Sequence, residues 1–161
     1  MAWSFKVEGM EELIGKMNKL PDKGAKIASE ALYEGAGVVA DAVSGAVQGI
    51  ATEPFKYARG GKKRKPSPEE KAIVAGAKHG VAKFRKNGVS VQTSVGYQNA
   101  GYAVLNGKTK PIPQIANAIN SGTSFMQKQP FIRKAFSQSK GAATAAIEAG
   151  IHAREDELNP D

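Results

Sequence analysis

From Asp22 to about Ile50 the sequence holds a single helical pattern, and any fold available to this chain has to give that pattern something to lie against. Apolar or small residues recur at Ile27, Ala31, Leu32, Gly35, Val38, Val39, Ala42, Val43, Ala46, Val47 and Ile50, the three-to-four spacing of one helix face. Lys23, Lys26, Glu30, Glu34, Asp41 and Gln48 fall on the other face, and Pro21 and Asp22 supply a helix start. At 1.5 Å per residue the helix is about 40 Å long, longer than a domain of this size is wide, so a partner must cover it. Its Ala, Gly and Val face lets a second helix or a sheet approach closely, although each interior Gly costs roughly 0.5–1 kcal/mol relative to Ala. A membrane span over Gly35 to Ala51 is the disfavoured reading, because Ala, Gly and Ser transfer poorly into lipid and Asp41 sits at its centre.

The segments around this helix read as an α+β protein. Trp3, Phe5 and Val7 alternate with polar residues as in a half-buried strand, and Met10 to Leu20 carries Met10, Leu13, Ile14, Met17 and Leu20 on one side of a short helix. Ser67, Pro68, Glu69 and Glu70 spell a helix start, with Ser67 as cap, Pro68 at the first helical position and Glu70 three residues after the cap. Period-two runs over Val81 to Arg85 and Val89 to Val95 flank Asn87-Gly88, the signal of a hairpin turn, and a third strand is expected over Tyr102 to Leu105, ending at Asn106-Gly107. Ile112, Ile115, Ala116 and Ile119 lie along one side of a short helix ended by Gly122. A last helix starts at Pro130 with an apolar stripe of Phe131, Ile132, Ala135, Phe136, Ala143, Ala146, Ile147 and Ile151. The expected architecture is a small antiparallel sheet with a hairpin, packed against the long helix and the C-terminal helix. At 161 residues it is expected as a single domain, with a flexible basic loop at about 52–66 and a frayed acidic tail from about 155.

The net charge of +8 is concentrated. Between Lys56 and Gly88 lie eleven Lys and Arg against Glu69 and Glu70, including the run Lys62, Lys63, Arg64, Lys65. Lys56, Arg59, Lys62, Lys63, Arg64, Lys65, Lys83, Arg85 and Lys86 are therefore the candidate contacts to DNA phosphates or to an acidic partner. The alternative is a merely solvated surface loop.

Catalytic chemistry finds little to build on. There is no Cys, which removes disulfides, thiolate metal sites and thiol nucleophiles, and with only two His, at 79 and 152, a zinc or iron site is not expected. Gly60-Gly61-Lys62-Lys63 lacks the spacing of a phosphate-binding loop. Neither an enzyme, a cofactor nor a metal site is expected, and the N-terminus, with no charged-then-apolar signal pattern, leads us to expect an intracellular product.

An ordered set of short motifs points to an identity. Phe5-Lys6-Val7-Glu8-Gly9-Met10-Glu11-Glu12-Leu13 comes first, then the long helix, then Ile119-Asn120-Ser121-Gly122-Thr123-Ser124, then Gln129-Pro130-Phe131-Ile132-Arg133-Lys134-Ala135-Phe136. The combination resembles the small tail-completion or head-tail joining proteins of long-tailed bacteriophages and prophages. The resemblance covers about two-thirds of the chain. Residues 52–88 show no clear counterpart to that family's Gly-Arg-Leu-like motif.

The resemblance implies a non-catalytic virion protein of the neck, assembled in the bacterial cytoplasm as a ring, expected to be a hexamer. It further implies contact with the connector and with tail-tube or tail-terminator proteins, DNA passing through the lumen, no membrane, and structural roles for Gly122, Thr123, Pro130, Phe131 and Phe136. The alternative from a different class is a basic nucleic-acid-binding module outside any virion, although few aromatics stand among its basic residues for stacking.

Overall fold

A computed structural model describes residues 19, 21–54, 60–77, 80–81, 85–87, 90–97 and 100–158. The expected strand over Met1 to Val7 and nearly all of the helix expected over Met10 to Leu20 lie outside these residues, as do Lys56, Arg59, His79 and Lys83. The order of elements is α1 (Pro21–Ala46), a 3-10 turn (Val47–Gly49), α2 (Pro68–Gly76), β1 (Gly80–Val81), β2 (Arg85–Asn87), β3 (Ser90–Gln92), β4 (Val95–Gly96), β5 (Tyr102–Leu105), β6 (Lys108–Pro111), α3 (Ile112–Ser121), α4 (Phe131–His152) and a final 3-10 turn (Glu155–Leu158). The protein is thus α+β, with a long helix, a C-terminal helix and short strands in two-stranded sheets. Among the described residues no helix is long and apolar enough to cross a membrane.

The chain resolves into two compact units that interleave in sequence. Unit 1 comprises Met1–Val39, Val81–Val95 and Ser139–Asp161, and unit 2 comprises Ala40–Gly80 and Gly96–Gln138. Helices α1 and α4 each begin in one unit and end in the other.

Unit 1 is held by the close approach of α1 and α4. Ile27, Ala31, Ile147, Ile151 and Leu158 form its buried cluster, with Leu32 packed at the edge. Small residues set the separation. A methyl group added at Gly35 would fall 2.5 Å from Ile147 Cγ1 and 3.0 Å from the Ala143 carbonyl, and one at Gly150 would fall 3.2 Å from Ala31. The Ala and Gly face of the long helix is therefore filled by a helix, as its composition allowed. Arg154 closes this pair from the solvent side, its Nε 2.7 Å from Glu30 and its Nη2 2.8 Å from Glu34, while Nη1 donates to the Gly150 carbonyl. The acidic tail departs from expectation. Residues 155–158 form a turn and Leu158 is 2% exposed, because this one large apolar side chain finds a place beside Ile27 and Ile151.

The hairpin in unit 1 forms with a small change of register. Arg85 pairs with Gln92, Lys86 with Val91 and Asn87 with Ser90, so Asn87 is a paired residue of β2 and not part of the turn where the sequence put it.

In unit 2, α2 packs on α3, on the 3-10 turn and on β5. Ser67 caps α2 as its sequence promised: its hydroxyl accepts from Glu70 N–H at 3.1 Å, and the Glu70 carboxylate accepts from Ser67 N–H at 2.8 Å. The strand expected at Tyr102 to Leu105 is present and gains a partner, β6, across a two-residue turn in which Asn106 and Gly107 both have positive φ, 52° and 72°. That is the backbone an Asn-Gly pair tolerates and most pairs do not. Ile112, Ile115, Ala116 and Ile119 of α3 are all buried.

Candidate functional site

The residues singled out from the family resemblance meet in one joint of unit 2. Gly122 ends α3 with φ 76°, and a methyl group there would fall 2.9 Å from both the backbone nitrogen and Cβ of Lys128. Only Gly satisfies both the left-handed turn and the contact. The Thr123 hydroxyl oxygen accepts from Met126 N–H at 3.0 Å and from Phe125 N–H at 3.3 Å, turning the loop back. Asn120 then crosses to the next helix, its Oδ1 accepting from Ile132 N–H at 3.1 Å in the first turn of α4. Pro130 takes no N–H into that turn and its carbonyl receives Lys134 N–H. Phe131 is buried with its ring edge-on to Tyr97 at 6.5 Å between centroids, and Phe136 is buried one turn later. Gln129 completes the joint by a reciprocal pair with Ala51, donating to its carbonyl at 2.6 Å and accepting its N–H at 2.8 Å.

The basic segment divides against the reading of its four cations as one contact surface. Lys62, Lys63 and Lys65 are exposed, but Arg64 is 6% exposed. Its backbone is tied on both sides, N–H to the Phe125 carbonyl at 2.9 Å and carbonyl to Gln127 N–H at 2.8 Å, in a parallel bridge with Met126. The guanidinium forks onto Glu70, Nη1 to Oε2 at 2.6 Å and Nη2 to Oε1 at 2.7 Å, with the Phe125 ring 5.7 Å away. Arg64 is therefore withdrawn from the set of candidate DNA contacts: one carboxylate serves both as half of the α2 cap and as its counter-ion. Burial would push the Glu70 carboxyl up, yet the hydrogen bonds from Arg64 and Ser67 and the Arg64 charge hold it below the usual carboxylate range. The same hydrogen bond raises Arg64 further. The described ends of the loop expected at 52–66 are likewise engaged, with Glu53 accepting from Lys65 N–H at 2.7 Å and donating its own N–H to the Pro66 carbonyl. Arg85 and Lys86 lie on β2, whereas Lys56, Arg59 and Lys83 are outside the described residues.

Sequence reading missed the larger distribution of charge. Unit 2 contains thirteen Lys and Arg against four Asp and Glu, and unit 1 contains ten against eleven. The excess thus belongs to a whole unit, which adds the exposed Lys108, Lys128, Arg133 and Lys134 to Lys62, Lys63 and Lys65. Lys71 is spent internally, its ammonium donating to the carbonyls of Gln48 at 2.8 Å and Ile50 at 3.0 Å, where the 3-10 turn ends.

Among the described residues of unit 2, hollows open at two places. One, of about 380 Å³, lies at the start of α4 between Ile50, Phe131, Lys128 and Lys134. The other, of about 520 Å³, lies beside the Arg64–Glu70 pair. Among the described residues no group of three His, Cys, Asp or Glu side chains could hold a metal ion. Comparisons with protein-family models, with curated proteins and with solved structures return no match to this chain.

Proposed function

We propose that this chain is a structural subunit of the neck of a long-tailed phage, completing the tail or joining it to the head, and working by shape and not by catalysis. It would act in a ring of its own copies, expected to number six, between the connector and the tail-tube or tail-terminator proteins. The observation that carries this reading is the joint in unit 2. Gly122, Thr123, Pro130 and Phe131, which bear the family resemblance, are consecutive parts of one folded corner, each with a conformational, hydrogen-bonding or packing task. Such interdependence gives a physical reason for these residues to recur together in related subunits.

The charge distribution adds support. A near-neutral unit 1 and a strongly basic unit 2 suit a subunit that both assembles and faces a polyanion such as DNA in a channel. A second reading, a basic nucleic-acid-binding module outside any virion, draws on the exposed lysines of unit 2 alone. Assembly separates the two: closed rings in negative-stain images of the purified chain, alone or with tail proteins, favour the neck. Deleting the gene from an inducible prophage that carries it gives the decisive result. The proposal requires filled heads and tails that accumulate unjoined, or tails of uncontrolled length, and normal infectious particles would overturn it.

A further inference from the structure

The 520 Å³ hollow beside the Arg64–Glu70 pair combines apolar side chains with a few polar ones, the mixture that small-molecule sites use. One wall is apolar, formed by Leu105, Ile115 and Met126. Facing chemistry comes from Arg64, Lys110 and Thr123. Arg64 Nε–H is buried without an acceptor, although the other guanidinium nitrogens are bonded to Glu70. A buried donor left in that state costs free energy that an acceptor would recover. Thr123 uses its oxygen as an acceptor for two backbone N–H groups, which leaves its hydroxyl hydrogen to donate. Lys110 is half-buried, and among the described residues no carboxylate pairs with it.

The charge count selects the ligand. Glu70 already balances Arg64, so among the described residues Lys110 is the one uncompensated charge of the hollow and matches a single negative charge. A phosphate, at nearly two charges, would bring its second against Glu70. We propose that this hollow binds an apolar monocarboxylate, its carboxylate on Lys110 and the Arg64 and Thr123 donors and its body against Leu105, Ile115 and Met126. The group could be supplied by a free organic acid or by the C-terminal residue of a polypeptide, which present the same chemistry.

The test uses the full chain, with methyl NMR of Ile115 and Met126 as the readout and 3-phenylpropionate as the probe, compared with 3-phenylpropanamide. The acid should shift both methyls and bind at least about ten-fold more tightly than the amide, and Lys110→Met should remove that preference. Ala118→Leu, which narrows the hollow from α3, should weaken acid and amide alike, so the site is tested even if the lysine variant folds poorly. A pentapeptide with a free C-terminal Phe assigns the source: binding tighter than the free acid, and lost on C-terminal amidation, identifies a polypeptide end, whereas binding no tighter identifies a small acid. Methyls unmoved up to about 10 mM acid, or an amide that binds as well as the acid, would overturn the proposal.

Discussion

Glu70 is the residue on which most of unit 2 converges, since it caps α2, neutralises Arg64 and borders the larger hollow. Glu70→Gln leaves a buried guanidinium without its counter-ion and should cost about 3–5 kcal/mol in urea unfolding at neutral pH. Acid should erase part of that difference. The folded-state carboxyl titrates below its unfolded value, so the stability it contributes is complete above the ordinary carboxylate range and is lost as pH falls through the lower folded value. The gap between wild type and Glu70→Gln should therefore narrow on acidification, and a gap independent of pH would show that the charge of Glu70 is not what stabilises the pair. The cap was legible because Ser67 and Glu70 are three residues apart and their bonding is local. Arg64 was not, because what turns it inward lies far along the chain at Phe125 to Gln127, and a run of four cations reads from sequence as uniformly solvated.

Among the elements, α1 was the most legible, since twenty-six residues of one periodic pattern leave few alternatives to a helix. What covers it was not, because a face of Ala and Gly admits a helix or a sheet equally. Its crossing with α4 makes a sharp prediction at Gly35. Gly35→Ala should destabilise by about 1–3 kcal/mol despite Ala being the better helix former, because the new methyl meets Ile147. In an Ile147→Ala background the same change should cost much less, and equal costs in both backgrounds would show that the two helices do not meet there. Phe131→Ala, at the start of α4, should cost about 3–5 kcal/mol, and an unchanged melting temperature would place that ring outside the core. The strand β6 went unseen for a different reason. Lys108-Thr109-Lys110-Pro111 has almost no apolar alternation to announce it, and it pairs because the Asn106-Gly107 turn returns the chain alongside β5.

For the whole molecule, net charge read along the sequence located a basic stretch, while the fold assigns the excess to unit 2 as a body. Sequence windows could not find this, since residues 60–77 and 108–134 are brought together only by folding. Replacing Lys62, Lys63 and Lys65 with Gln spares Arg64 and should leave the melting temperature unchanged. If all three meet phosphates, the slope of log affinity for duplex DNA against log salt should fall by up to about 3, and an unchanged slope would exclude them from the contact. The interleaving of the units also orders events during synthesis. The cluster that closes unit 1 joins Ile27 and Ala31 to Ile147, Ile151 and Leu158, so while the ribosome is still reading the codons for α4 the partner face of the nascent long helix does not yet exist. A growing chain is consequently unable to present a finished subunit, and a product truncated before α4 is left with an open seam of small residues that copies in the same state could fill for one another.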